Sequence, residues 1–222
     1  CPWLRIGKEH RRIRRSCLKE IAGFSVLTCV QQSVMNLGIL MVQGLVNSFG
    51  TTVMAAFAVA VKIDSFAYMP VQDFGNAFSS FIAQNFGAGR KDRIQTGFKG
   101  AVLVSFLFCL AISAIIWIFA RPLMLLFVSE RETAIIAEGI RYLHIEGAFY
   151  CGIGCLFLLY GLYRALGKPG MSVVLTVISL GTRVLLAYVL SSIPAVGVVG
   201  IWWSVPIGWA LADLVGFVYY RM

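Results

Sequence analysis

The hydrophobic pattern divides this chain into six long apolar segments, at about 21–49, 53–84, 94–119, 133–162, 171–190 and 199–220. Each reaches or exceeds the roughly 20 residues an α-helix needs to cross a bilayer. The runs are continuous rather than alternating, and turn signals arrive every 25 to 35 residues. That spacing predicts helices and not the roughly ten-residue alternating strands of a transmembrane barrel. The expected fold is an all-α integral membrane protein: a bundle of six transmembrane helices over 21–222, preceded by a basic linker or interfacial segment, 1–20, that is either a short surface helix or a solvated run.

Polar positions inside the spans are few and patterned. In span one, Gln32, Asn36, Gln43 and Asn47 follow the helical period and form one stripe, which should face the bundle or a water-filled cavity. Span two carries Lys62, Asp64, Pro70 and Asp73, where a lipid-facing helix tolerates none of them. A charge at mid-membrane costs at least about 2.5–3.5 kcal/mol on insertion scales, so its retention needs a reason. Lys62, Ser65, Met69 and Asp73 share a face, and Asp64 with Tyr68 lies on the next. Lys62 and Asp64 do not face each other, so each is expected to find a partner on another helix or to act as a charge-switching pair at a cleft. Pro70 removes a backbone hydrogen bond and is expected to kink the span near its midpoint, and Gly87-Ala-Gly89 ends it.

Span three becomes wholly apolar after Lys99, as a lipid-facing helix would, and Arg121-Pro122 closes it. Span four begins with Glu138, Arg141, His144 and Glu146, which places the last two near its outer end, where solvated surface competes with a role in a cleft. Span six carries Gly208, Ala212 and Gly216 at a spacing of four, a small-residue stripe for close helix packing. Asp213 lies beside that stripe, with Arg183 of span five as its candidate partner. The candidates for a substrate or cation cleft are therefore Lys62, Asp64, Asp73, Gln32, Asn36 and Glu146. Tyr68, Met69 and Tyr150 are candidate walls for flat, cationic compounds. For each, helix-to-helix packing is the rival reading.

Composition agrees with the pattern. Of 222 residues, 59% are hydrophobic and 13% charged, and the mean hydropathy is +0.83. An average soluble domain carries about 25% charged residues, so no soluble domain fits. A net charge of +9 in a soluble chain would indicate nucleic acid. Here the basic residues sit at span ends, where they contact lipid headgroups and set topology, and no nucleic-acid partner is expected. Fourteen of the nineteen lie in the first segment and in alternate connections, three (Arg121, Arg131 and Arg141) lie on the other side, and Lys62 and Arg183 are intramembrane. The imbalance orients both ends to the cytoplasm of a multi-pass protein of the plasma membrane. Six cysteines show no paired Cys/His spacing, and Cys151 and Cys155, on one face, are read as packing. No nucleophile, base and oxyanion set appears, so neither an enzyme nor a cofactor is expected. The first residue is Cys1, which is read as a piece of a longer protein.

The stretch Ala55-Ala-Phe-Ala-Val-Ala-Val-Lys-Ile-Asp-Ser-Phe-Ala-Tyr-Met-Pro70, followed by Gln84-Asn-Phe-Gly-Ala-Gly-Arg90, resembles the eighth helix and following loop of multidrug and toxic compound extrusion (MATE) transporters. Gly161-Leu-Tyr-Arg-Ala-Leu-Gly-Lys-Pro169 and Val196-Gly-Val-Val-Gly-Ile-Trp202 are similar to that family's tenth-helix end and the start of its last helix. The resemblance implies that these spans form the C-terminal lobe of a twelve-helix, pseudo-twofold antiporter whose N-terminal lobe lies outside this chain. It implies export of small organic, often cationic, xenobiotics against a proton or sodium gradient, with the two lobes enclosing a cleft and rocking between states. Two departures stand out. Some branches of the family bind a cation through a glutamate early in the seventh helix, where this chain reads Gln31-Gln32-Ser33, and through an aspartate midway along the tenth, where the surroundings of Ile153 are apolar. Coupling would then rest on acids of the other lobe, or on Asp64, Asp73 and Glu146. The alternative function is a six-helix channel, or a permease subunit powered by a separate ATPase, but no coupling helix or pore-loop signature is visible.

Overall fold

The computed structural model describes residues 15–221, so most of the basic first segment, 1–14, lies outside the described residues. Among the described residues seven helices follow one another: α1 (Arg15–Asn47), α2 (Thr51–Gly87), α3 (Lys91–Leu125), α4 (Thr133–Gly147), α5 (Tyr150–Ala165), α6 (Pro169–Ser191) and α7 (Val198–Arg221). Among the described residues there is no strand. Five helices are long and apolar enough to cross a membrane, and α4 with α5 supplies a sixth crossing, broken and bent by 53°. The chain is a multi-pass, all-helical membrane protein. The single straight span expected over 133–162 is two helices, because the backbone turns at Ala148 and Phe149. Nothing in the apolar pattern marks that break, since the two halves together have the length and hydropathy of one span.

Helix ends follow the local chemistry. Gly89 and Gly167 have φ of 68° and 74°, a left-handed backbone that a side chain disfavours. Each closes its helix with the two reversed bonds of a Schellman turn: Arg90 N to Asn85 O at 2.9 Å with Gly89 N to Phe86 O at 3.0 Å, and Lys168 N to Tyr163 O at 2.9 Å with Gly167 N to Arg164 O at 3.2 Å. Pro169 then opens α6 at a position whose N–H would be unpaired anyway. Prolines inside helices act differently. α3 runs through Pro122 to Leu125 instead of stopping at it, and α2 is continuous through Pro70.

Close packing depends on glycines at two crossings. α2 meets α5 where a Cβ on Gly161 would lie 2.5 Å from the Gly75 carbonyl oxygen, and α6 meets α7 where a Cβ on Gly208 would lie 2.5 Å from the Ser179 carbonyl oxygen. No real side chain fits either distance, so the backbones touch. α1 packs mainly on α6, with Gln31 Nε2 donating to Thr176 Oγ1 at 3.0 Å. α2 lies at the centre, against α3, α4 and α5. α3 turns Leu103, Leu107, Trp117 and Ile118 outward, as a lipid-facing helix does.

Candidate functional site

The bend between α4 and α5 organises the polar interior. Tyr142, Glu146 and Tyr150 lie at steps of four residues, on one helix face that continues across the break. That face meets α2 at Asp64, which is only 3% exposed. Tyr142 donates its hydroxyl to Asp64 Oδ2 at 2.8 Å, and Tyr150 donates to Asp64 Oδ1. Both carboxylate oxygens are thus satisfied by neutral donors, which is how a carboxyl group can be retained in hydrocarbon. Glu146, also 3% exposed, lies between the two tyrosines, and its Oε1 has no hydrogen-bond partner among the described residues.

An aromatic cluster holds Tyr142 in place. Phe57 stacks on Trp202 with centroids 5.5 Å apart, and Tyr142 presents its edge to both, at 5.6 and 5.0 Å. Trp202 Nε1 in turn donates to Glu138 Oε1 at 2.9 Å. On the other side of α4, Trp117 and His144 stack at 4.4 Å and exchange ring-to-backbone contacts at 3.2 Å in both directions. α4 is therefore pinned on two faces, with Glu146 between them.

Asp64 and Glu146 open onto a cavity of about 240 Å³. Gln32 and Asn36 line it from α1, Tyr68 and Gln72 from α2, Arg183 from α6 and Trp209 from α7. It is far larger than the roughly 10–15 Å³ that one water needs, and its polar lining makes a dry void untenable. Arg183 shares this cavity with both carboxyl groups but forms no ion pair with either within 4.0 Å.

The structure gathers some of the expected residues and disperses others. Asp64, Glu146, Gln32, Asn36 and Tyr68 line this cavity, and Tyr150 closes it from behind by its bond to Asp64. Lys62, Met69 and Asp73 do not line it and are exposed in this chain, on a different face of α2. Glu146 is not on solvated surface near an outer end, because the bend carries it into the middle of the bundle. The Arg183–Asp213 pairing is not made. Gly208 packs at the level of Ser179 and Arg183, and Gly216 packs near Leu175, so Asp213 is displaced toward the far end of α6 by five residues, roughly 7.5 Å of rise. Asp213 Oδ1 and Arg183 Nε are each buried without a partner among the described residues.

The sequence does not single out Tyr142 or Gln72 as site residues, and the structure sets Arg183 on the cavity instead of beside Asp213. The four-residue step from Tyr142 through Glu146 to Tyr150 was the available signal. Hydropathy hid it, because a tyrosine counts as nearly apolar.

A multi-pass helical bundle with two carboxyl groups around a polar intramembrane cavity is the architecture of a solute-handling membrane protein. The sequence profile of the MatE family matches residues 26–189, most of the chain, and the chain belongs to that family. It is 25% identical over 215 residues to "Probable multidrug resistance protein YoeA" of Bacillus subtilis, covering 96% of this chain and 46% of that protein. It is 30% identical over 194 residues to "Probable multidrug resistance protein YpnP" of the same organism, covering 86% of this chain and 42% of that one. A crystal structure of a MATE protein in complex with MaL6 superposes with a TM-score of 0.92 at 23% identity, over 99% of this chain and 50% of that one. The chain thus spans about half the length of the relatives it matches. The family is one of transporters, not enzymes.

Proposed function

We propose that this chain is the C-terminal six-helix lobe of a secondary active exporter of small organic compounds, and that Asp64 and Glu146 are its coupling acids. The observation that supports this reading most directly is the pair of buried carboxyl groups on one polar cavity, with Asp64 held by Tyr142 and Tyr150, in a chain of the MatE family. The multidrug resistance names of its relatives support the substrate class. The N-terminal lobe would supply the opposite wall of the cavity and be joined through the basic segment 1–20. The coupling ion, a proton or sodium, would bind at the carboxyl groups in the outward-open state and leave in the inward-open state, while the lobes rock about a shared axis. No other cofactor is needed. With six crossings and basic residues concentrated on one side, both ends of the lobe lie at the cytoplasmic face of the plasma membrane.

The test is export in proteoliposomes that hold a full-length protein with both lobes. Efflux of an organic cation such as ethidium should follow an imposed proton or sodium gradient and stop when an ionophore dissipates it. Efflux that persists without any gradient would refute the antiporter reading.

A further inference from the structure

Arg183 is the one charged group on the cavity that the coupling reading does not use. Its guanidinium offers five N–H donors in a planar fork and no acceptor. None of the described residues accepts a hydrogen bond from it, and its Nε is buried. None of the acids near it pairs with it: Asp213 lies away along α7, both oxygens of Asp64 are occupied by Tyr142 and Tyr150, and Glu146, whose Oε1 is unpartnered on the same cavity, forms no ion pair with it within 4.0 Å among the described residues. The residue as a whole is half-buried, with the rest of the guanidinium open to the cavity, and a partly desolvated cation with no internal partner is placed to take an anion that arrives from outside the lobe. Tyr160 and Trp209, both nearly buried, flank the same space with flat aromatic surface.

We propose that Arg183 forms an anion-accepting subsite in this cavity and that the compounds it holds are zwitterionic. A ligand cation faces Asp64 and Glu146, and a ligand carboxylate or similar anionic group takes the guanidinium, which favours planar, two-pronged acceptors. The cavity of about 240 Å³ falls short of the roughly 300–1,000 Å³ of a complete small-molecule site, so the lobe would hold the charged end of the ligand and the opposite wall the rest. This substrate class rests on the proposed function above, whereas the binding geometry can be tested without transport.

The experiment is a fluorescence-polarisation titration of the purified full-length protein with a rhodamine bearing a free carboxylate and with its methyl ester, which share chromophore and cation. The wild type should bind the free acid more tightly than the ester by about ten- to a hundredfold, the range for hydrogen bonds to a charged group. Arg183→Gln should abolish that preference while leaving the ester within about twofold, and Arg183→Lys should keep part of it. Equal binding of the two dyes by the wild type would overturn the proposal. So would a variant that weakens both dyes alike, since Arg183 would then serve an internal ion pair or a carboxylate of the opposite lobe. If Arg183→Gln does not fold, the wild-type preference and its reduction in Arg183→Lys decide the question. Loss of gradient-driven efflux with the acid preference intact would refute the antiporter reading and leave the subsite standing.

Discussion

At the scale of single residues, the carboxyl group of Asp64 carries the most consequence, because its two tyrosine bonds give it a fixed place in an apolar bundle. Asp64→Asn keeps the shape and removes the capacity to bind a cation. Gradient-driven efflux should fall at least about tenfold, with membrane insertion and thermal unfolding little changed. Lys62, two residues earlier, is exposed in this chain and touches none of this network. Lys62→Ala should therefore leave efflux far closer to wild type than Asp64→Asn does, and equal losses in proteoliposome assays would reject the cluster as the coupling centre. Tyr142→Phe is a finer probe. It strands Asp64 Oδ2 without its donor, at about 1–3 kcal/mol for an unsatisfied buried group, and should lower the unfolding midpoint measurably. That Lys62 and Asp64 belong to different faces was legible from their spacing. The identity of the partners was not, because Tyr142 is 78 positions away and contributes nothing to local pattern.

At the scale of elements, the lobe is held by backbone contact at glycines and opened by one bend. Hydrocarbon supplies no hydrophobic drive between helices, so association depends on dispersion at short range, which a missing Cβ permits. Gly161→Ala would press a methyl group to within 2.5 Å of the Gly75 carbonyl and should cost about 1–3 kcal/mol. Gly44 has nothing within 4 Å of its would-be Cβ, so Gly44→Ala should be neutral or gain up to about 1 kcal/mol of helix propensity. Differential scanning of both variants in detergent checks the contrast, and equal midpoints would rule out the crossing as a stability determinant. The stripe of Gly208, Ala212 and Gly216 was readable from its four-residue period. Gly75 was not, since a lone glycine in an apolar run has no distinguishing neighbours. The bend at Ala148 and Phe149 was equally silent, because residues 133–162 satisfy the length and hydropathy of one span.

At the scale of the whole molecule, six crossings and an asymmetric charge distribution define a testable orientation. In a full-length protein with its native cysteines replaced by serine, Lys91→Cys should react with an impermeant maleimide only from the cytoplasmic side and Ser129→Cys only from outside. Both positions are exposed, at the ends of α3 and in the connection that follows it. The reverse pattern would invert the lobe.

What the sequence by itself determined is the part governed by local chemistry. Long apolar runs can satisfy their backbone groups in a bilayer only as helices, glycine and proline mark where those helices stop, and the motifs of residues 55–90 and 161–202 are enough to indicate the family. The tertiary structure alone decided which faces meet. A helical period shows that Glu146 shares a face with Tyr142 and Tyr150, but not that a 53° bend turns that face toward Asp64. Nor does it show that the register of α6 against α7 withholds Asp213 from Arg183 and leaves the guanidinium on the cavity. Periodicity is a property of one helix, whereas a site is made by the register and bend between several, and those depend on how close each pair of backbones can come.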